Sequence, residues 1–365
     1  MARIVIVGGG IVGLSVARAA LKAGHQIVLL EQGAIPNPQA ASCDDTRMIR
    51  PHYGAADGYT RMVAEAFHGW NALWQDLGTR HYAETGAIAI SERPGDYAAV
   101  TLDTFRRLGV AHEVLDRRGI EALCPHLTLP AGATGVLAGP AGPLMARRIV
   151  ADLAAWVAAR GGVLRSGTHV AGIDTAAGRV TLESGETIEG DLVVVAAGAW
   201  LQDLFPGRYD ALPRMRQALC YVEPPAAFAA SWQAAPAIAS IGDRGTYTLP
   251  GVLGAELKFG YGLHRRPGSP RDGFEAGVDD AEGVLSGFRD VLREADGYRP
   301  LRFFVGYYVM DASRRFRLEQ HGRALVVTNC DGQMFKFGPL LGQRIVACFD
   351  GAESATDLAR WAAGY

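Results

Sequence analysis

The chain has 365 residues, 49% of them hydrophobic and 20% charged, with a net charge of −2. That length supports two domains with a large core, and the lack of any basic stretch argues against nucleic acid or an anionic membrane as a partner. No run of about 18 apolar residues occurs, so no membrane span is expected.

The first element is Ile4–Val7, a short β-branched run that suits a strand buried on both faces. Gly8, Gly10 and Gly13 follow as G-x-G-x-x-G. The first glycine permits a tight turn, the second lets backbone approach a pyrophosphate, and the third lets the next helix pack close to the strand. That helix runs from about Ile11 to Ala23, stops at Gly24, and offers its N-terminal N–H groups to an anion. Ile27–Leu30 is the second strand, and Glu31 at its end can accept hydrogen bonds from ribose hydroxyls. Strand, turn, helix and acid in one unit predict a bound dinucleotide. The motif alone leaves FAD and NAD both open. Arg18 and Lys22 interrupt the apolar N-terminal stretch, so no signal peptide is expected.

Further along, Tyr59–Leu77 has helical apolar spacing and Gly86–Ser91 reads as a strand. A helix over about 95–109 and a strand at AHEVLD come next. Leu144–Gly162 is an amphipathic helix with a glycine stop. The short strands in GVLRSGTHVAGID, GRVTLES and GETIEGD predict a β-meander inserted into the α/β pattern. Leu192–Trp200 is a buried strand ending in a small-residue turn. Residues 212–310, rich in Pro, Gly and aromatics, suit a cap of strands and irregular loops. Arg323–Asn329 is again a buried strand, followed by a turn and a helix. The expected fold is α/β (α+β). An interleaved Rossmann-like nucleotide domain (1–85, 140–211, 311–365) would carry a mainly antiparallel substrate domain (86–139, 212–310).

Five cysteines, Cys43, Cys124, Cys220, Cys330 and Cys348, are dispersed without a C-x-x-C pair. They read as reduced thiols in a cytoplasmic protein. No His or Cys spacing suggests a metal site.

Four stretches carry a resemblance: SCDDTRMIRPHYG (42–54), VVVAAGAW in mid-chain, GAELKFGYG (254–262) and DGQMFKFGPLLG near the C-terminus. Together, in this order and over nearly the full length, they resemble the D-amino-acid-oxidase superfamily of flavoproteins. Within it the likeness is to the sarcosine oxidase and N-methyltryptophan oxidase branch. The resemblance implies FAD. Its contacts would come from Gly8, Gly10, Ile11, Val12 and Gly13, from Glu31 and Gln32, and from Cys43, Thr46 and Arg47. Val170, the turn Ala197, Gly198 and Trp200, and the segment Gly332, Met334, Phe335 and Lys336 complete that set.

It also implies a substrate that is a small amine with a carboxylate, and dioxygen as the second substrate. Arg50 and Lys336 match the carboxylate ligands and Arg47 a second arginine near the flavin. An arginine fork and a lysine point charge both suit a carboxylate, although a lone Arg or Lys is ordinarily a solvated surface charge. Lys258, between Leu257 and Phe259, matches the lysine that promotes reaction with oxygen. A fixed positive charge stabilises the superoxide anion. An edge-strand lysine that discourages aggregation is the other reading. Tyr247 and Tyr308 match tyrosines that frame the substrate, and as strand aromatics they equally suit packing. The helix after FKFG is expected to aim its N-terminus at the flavin.

The chain departs from the family in several places. Gly306 stands where the branch has its flavin-linking cysteine, so FAD is expected to bind without a covalent bond. Gly262 replaces a histidine four residues after the lysine, and His264 is out of register. Cys43 replaces a histidine before D-T-R. Met334 replaces a glycine, and its long side chain beside the carboxylate lysine would reshape the pocket, so the expected substrate is an N-substituted amino acid other than sarcosine itself; glycine-oxidase-like action on an N-carboxymethyl amino acid fits the same machinery. The expected activity is oxidation of a secondary amine to an imine that water hydrolyses, with hydrogen peroxide as co-product. Three alternatives stay open: an FAD-dependent dehydrogenase of an amino or 2-hydroxy acid, a non-catalytic nucleotide-binding accessory protein, and a plain NAD dehydrogenase. Oligomeric state is open, and a monomer is compatible with the sequence.

Overall fold

The β-branched run Arg3–Val7 is a central strand of a six-stranded sheet, in a computed structural model that describes residues 1–365. Gln26–Leu30 and then Val163–Arg165 lie on one side of it. Leu192–Val195, Ala324–Asn329 and Arg317–His321 lie on the other. Every pairing is parallel except the last, an antiparallel edge.

Both faces of this sheet are covered, which explains why its strands read as unbroken apolar runs. Helices Ile11–Lys22, Asp57–Leu77, Ala146–Ala159 and Gly338–Phe349 close a core around Trp70, Leu73, Leu153 and Ile345 on one face. On the other, Val180, Leu182 and Ile188 of a three-stranded antiparallel meander pack on Val5, Val193 and Val195. The stretch GVLRSGTHVAGID divides between the two. Val163–Arg165 joins the parallel sheet, and Val170–Asp174 opens the meander.

The second large sheet has nine strands. Arg214–Glu223, Leu257–Tyr261, Thr246–Leu249, Ala237–Ile241, Ala87–Ser91, Thr134–Ala138 and Glu113–Asp116 follow one another across it. Arg266–Pro267 and Arg299–Val309 also pair with Arg214–Glu223. All contacts are antiparallel save Ala237–Ile241 against Ala87–Ser91. The sequence picture of irregular loops understates this region. Arg214–Glu223 and Arg299–Val309 span 10 and 11 residues and pair along nearly their whole length.

Between the sheets runs a short ribbon, Arg47–Ile49 paired with Gly142–Leu144. Alternate residues of an extended chain point opposite ways. Met48 therefore enters a small core with Ala87 and Leu249 of the nine-stranded sheet, and Ile49 enters the core of the parallel sheet. The D-T-R-M-I-R motif thus lies on the seam between the two sheets. No helix is long and apolar enough to cross a membrane.

Candidate active site

A cavity of about 1120 Å³ follows that seam. One end is the glycine turn. Gly8 has φ +112°, and a Cβ there would strike the carbonyl of Ala196. A Cβ at Gly13 would strike the carbonyl of Gly8, so this glycine serves the close packing of helix on strand. The helix Ile11–Lys22 begins with no side-chain cap and no acidic residue in its first turn. Apart from that of Ile11, its first-turn N–H groups and its dipole are therefore left to an anion. Gly8, Gly10, Ile11 and Val12 line the cavity here. The Ile11 N–H donates to Ser42 Oγ at 3.1 Å.

Glu31 and Gln32 also line the cavity. Glu31 is buried, and it accepts from the N–H of Gly9 at 2.7 Å, from the N–H of Gly33 at 3.0 Å and from Asn37 Nδ2 at 2.9 Å. It braces the glycine turn as well as presenting a carboxylate. Val170, Ala197, Gly198 and Trp200 line the same end, on the first meander strand and the turn after Leu192–Val195.

At the other end the cavity is cationic. Arg47 and Arg50 leave the ribbon, Lys258 leaves Leu257–Tyr261, and Lys336 sits in the helical turn Met334–Phe337. These cations fall into two sets. Lys258 and Arg47 share one partner, the carboxylate of Asp44, to which both donate directly. Tyr221 donates its hydroxyl to the same carboxylate, and Lys258 also donates to the carbonyl of Thr46 at 2.6 Å. The side chains of Lys258 and Asp44 are 1% and 0% exposed. Burial works against the ionised Asp44, but Lys258 and Arg47 outweigh it and hold the carboxyl at about 2. Burial lowers Lys258 to about 8, with Asp44 opposing the fall.

Arg50 and Lys336 have no acidic partner. Arg50 donates to the hydroxyl of Tyr97 at 3.2 Å and lies over the ring of Tyr53. Lys336 donates only to the carbonyl of Gln333, at 3.2 Å. Burial, then Arg50, hold its ammonium well below the ordinary range, with Asp331 in partial opposition. Tyr247 and Tyr308 line the cavity near these groups. Each ring occupies space left by a glycine: a Cβ at Gly260 would strike Tyr247, and one at Gly332 would come within 3.0 Å of Tyr308. Burial raises both phenols, Tyr308 to about 12.

Most of the sequence-predicted residues therefore meet at one cavity, Gly332, Met334 and Phe335 included. Gly13, Cys43 and Thr46 are corrections. All three are buried and do not line the cavity. Cys43 belongs to a short turn whose carbonyl accepts from Arg147, and Thr46 acts through its carbonyl on Lys258. Lys258 differs from expectation too, because its charge is matched by a buried acid. The helix Gly338–Phe349 does not reach the cavity with its first residue. A Cβ at Gly338 would strike Ile11, and the preceding turn forms the wall instead. His264 turns to Asp280, with Nε2 3.2 Å from Oδ1. Gly306 lines the cavity, and a Cβ there would lie 2.9 Å from Phe304 Cε1.

Asp44 is the main residue that the sequence reading missed. It precedes the D-T-R motif directly, in an extended backbone that turns Asp44 inward and Asp45 outward to Arg147 and Arg302. A second signal lies in composition. Only three of the 36 basic residues are lysine, and two of those line this cavity.

The donor set fits FAD. An uncapped helix N-terminus with a glycine turn suits the pyrophosphate, Glu31 suits ribose hydroxyls, and the cavity extends from there to the cationic end. Comparisons with known proteins agree. A model of the FAD dependent oxidoreductase (DAO) family matches residues 3–348. Human peroxisomal sarcosine oxidase is 26% identical over 355 residues, covering 93% of this chain and 90% of the relative. N-methyl-L-tryptophan oxidase of Salmonella dublin is 23% identical over 370 residues, covering 97% and 96%. Among solved structures, NikD, an amino acid oxidase of nikkomycin biosynthesis, superposes with a TM-score of 0.83 at 23% identity, covering 99% and 97%. Glycine oxidase from Geobacillus kaustophilus does so with a TM-score of 0.81 at 18% identity, covering 100% and 99%. The chain belongs to the FAD-dependent oxidoreductases of the DAO family.

Proposed function

We propose that this protein oxidises a secondary amine or N-substituted amino acid that bears a carboxylate, with FAD held non-covalently and dioxygen as the electron acceptor. One observation carries the reading. Arg50 and Lys336, two basic side chains without an acidic partner, face the same cavity as the dinucleotide turn. A buried guanidinium left unpaired is costly unless an anion completes it, and a lysine beside it can add a second charge to that anion's site. The relatives named for sarcosine and N-methyl-L-tryptophan support the substrate class, since both compounds pair a secondary amine with a carboxylate.

The glycine turn with Ile11 and Val12 would hold the pyrophosphate, Glu31 the ribose hydroxyls, and Val170 the adenine end. FAD, when bound, would supply a two-electron acceptor for the hydride lost from the carbon beside the amine nitrogen, with dioxygen as the final acceptor and hydrogen peroxide as co-product. The chain's own residues supply position and charge. Arg50 and Lys336 grip the carboxylate and fix which C–H is presented. Tyr247 and Tyr308 wall the substrate and exclude water. Lys258 places a positive charge on the wall, held there by Asp44. The imine product is hydrolysed by water. Gly306 offers no thiol for a covalent link, and its neighbour Phe304 fills the adjoining space.

The purified protein tests this. It is expected to be yellow, to release its colour into the supernatant on acid precipitation, to bleach without oxygen when N-alkyl amino acids are added, and to form peroxide in air. A colourless protein that binds NADH would remove the reading. An FAD-loaded protein that no amine or hydroxy acid bleaches would point to an accessory role.

A further inference from the structure

The two cavity lysines occupy opposite surroundings. The third lysine, Lys22, is half exposed and paired with Asp76. Lys258 donates to Asp44 and to the Thr46 carbonyl, and lies 5.7 Å from the centre of the Tyr221 ring. Arg47, from the ribbon, shares Asp44 with it, and Asp45 stands next along that segment.

Lys336 is 6% exposed and touches no carboxylate. From the ribbon and the residues after it, Arg47 and Arg50 act on it. From the preceding turn Asp331 acts on it, but the oxygens of Asp331 already accept from Arg314 and Gln333. The rings of Tyr53 and Phe337 lie 5.4 and 5.6 Å from its Nζ. Helix Asp57–Leu77 contributes Trp70, whose indole N–H donates to the Lys336 carbonyl. A buried amine that meets no carboxylate, and that lies over the same Tyr53 ring as the Arg50 guanidinium, is driven toward its neutral form. An arginine in that place would keep its proton, whereas a lysine can release it.

We propose that, in the substrate-free protein at neutral pH, Lys258 is an ammonium and Lys336 a free amine, and that Lys336 accepts the proton an incoming zwitterionic amino acid must lose. This deepens the amine-oxidation reading and rests on it. An amino acid in neutral solution brings a carboxylate and a protonated amine, but loss of a hydride beside nitrogen needs the nitrogen lone pair. As the carboxylate settles between Arg50 and Lys336, one N–H bond of the substrate ammonium breaks and its electron pair stays on nitrogen. The proton bonds to the lone pair of Lys336 Nζ. No electrons change hands and no proton comes from solvent. The products are an ammonium–carboxylate pair, which tightens the grip, and a neutral amine ready for oxidation. Burial with Arg50 and Arg47 favours the free amine at Lys336 before binding, and Asp44 favours the ammonium at Lys258.

Three lysines make the charge states directly readable. The FAD-loaded protein labelled with [ε-13C]lysine should give three resonances, with Lys22 assigned by a Lys22→Arg variant. At pH 7 without ligand, Lys22 and Lys258 should stand at ammonium positions and Lys336 at the amine position. Propionate, a carboxylate without an amine, should move Lys336 to the ammonium position and draw about one proton from the buffer, read as a buffer-dependent heat of binding. An ammonium position for Lys336 before any ligand is added would overturn the proposal.

Kinetics give a second arm. Lys336→Arg keeps a cation for the carboxylate but cannot take a proton. Its kcat/KM for an N-methyl amino acid should be depressed at pH 7 and should recover about tenfold per pH unit toward the amine's own pKa. The wild type should lack that slope, and a Lys336→Arg variant with the wild-type profile would overturn the assignment. Should no amine prove to be a substrate, the resonances still report the charge states, so the two readings fail separately.

Discussion

Asp44 shows how much one buried side chain can decide. Its carboxylate ties Lys258, Arg47 and Tyr221 into one array on the cavity wall. Removing one partner of a buried ion pair leaves an uncompensated charge, so Asp44→Asn should lower stability by about 3–5 kcal/mol in urea unfolding at pH 7. The pH dependence has a definite sign. The folded carboxyl lies at about 2, below its ordinary 3.8, so its contribution is present above the ordinary value and fades as pH falls toward 2. The gap between wild type and Asp44→Asn should therefore narrow over that range. Lys258→Met should slow reoxidation of the reduced protein in air by about tenfold or more, measured by stopped flow. An unchanged rate would favour an electron acceptor other than dioxygen. CDDTR offered two adjacent acids and no means of ranking them. Only the inward turn of Asp44 separates the residue that organises the site from Asp45, which meets surface arginines.

At the scale of elements, the parallel sheet and its glycine turn were legible because Arg3–Val7, Gln26–Leu30, Leu192–Val195 and Ala324–Asn329 are buried almost throughout and the breaks beside them carry glycines. Strand pairing across long stretches was not legible. Ala237–Ile241 lies parallel to Ala87–Ser91 through partners some 150 residues apart, and nothing in either apolar run names the other. The reach of the helix Gly338–Phe349 was likewise hidden, because it depends on how closely that helix approaches Ile11–Lys22. A Cβ at Gly342 would strike the backbone of Ser15, so the two helices pack with almost no side chain between them. Gly342→Ala should force them apart and cost about 1–3 kcal/mol, checked by chemical denaturation. Gly13→Ala attacks the other close approach, between that helix and the Gly8 carbonyl. It should raise the dissociation constant for FAD by about tenfold or more in a fluorescence titration.

Across the whole molecule, the nine-stranded sheet closes over the C-terminal ends of the parallel strands. The seam gathers the helix N-terminus at one end and the cations at the other. The family resemblance reached separate stretches of the cavity wall, from Gly8 to Lys336, because those motifs are local. It could not reach the division of labour among these basic groups, which depends on the inward turn of Asp44 and on its pairing with Lys258 from a distant strand. That division underlies the central claim: Asp44 satisfies one set, and a substrate carboxylate is needed to satisfy the other. The most direct test compares an N-methyl amino acid with its methyl ester as reductants of the FAD-loaded protein under nitrogen. The free acid should bleach the flavin, and the ester, with the same C–H and amine but no anion, should do so at least about a hundredfold more slowly. Equal bleaching by acid and ester would show that Arg50 and Lys336 do not grip a carboxylate, and would contradict the account.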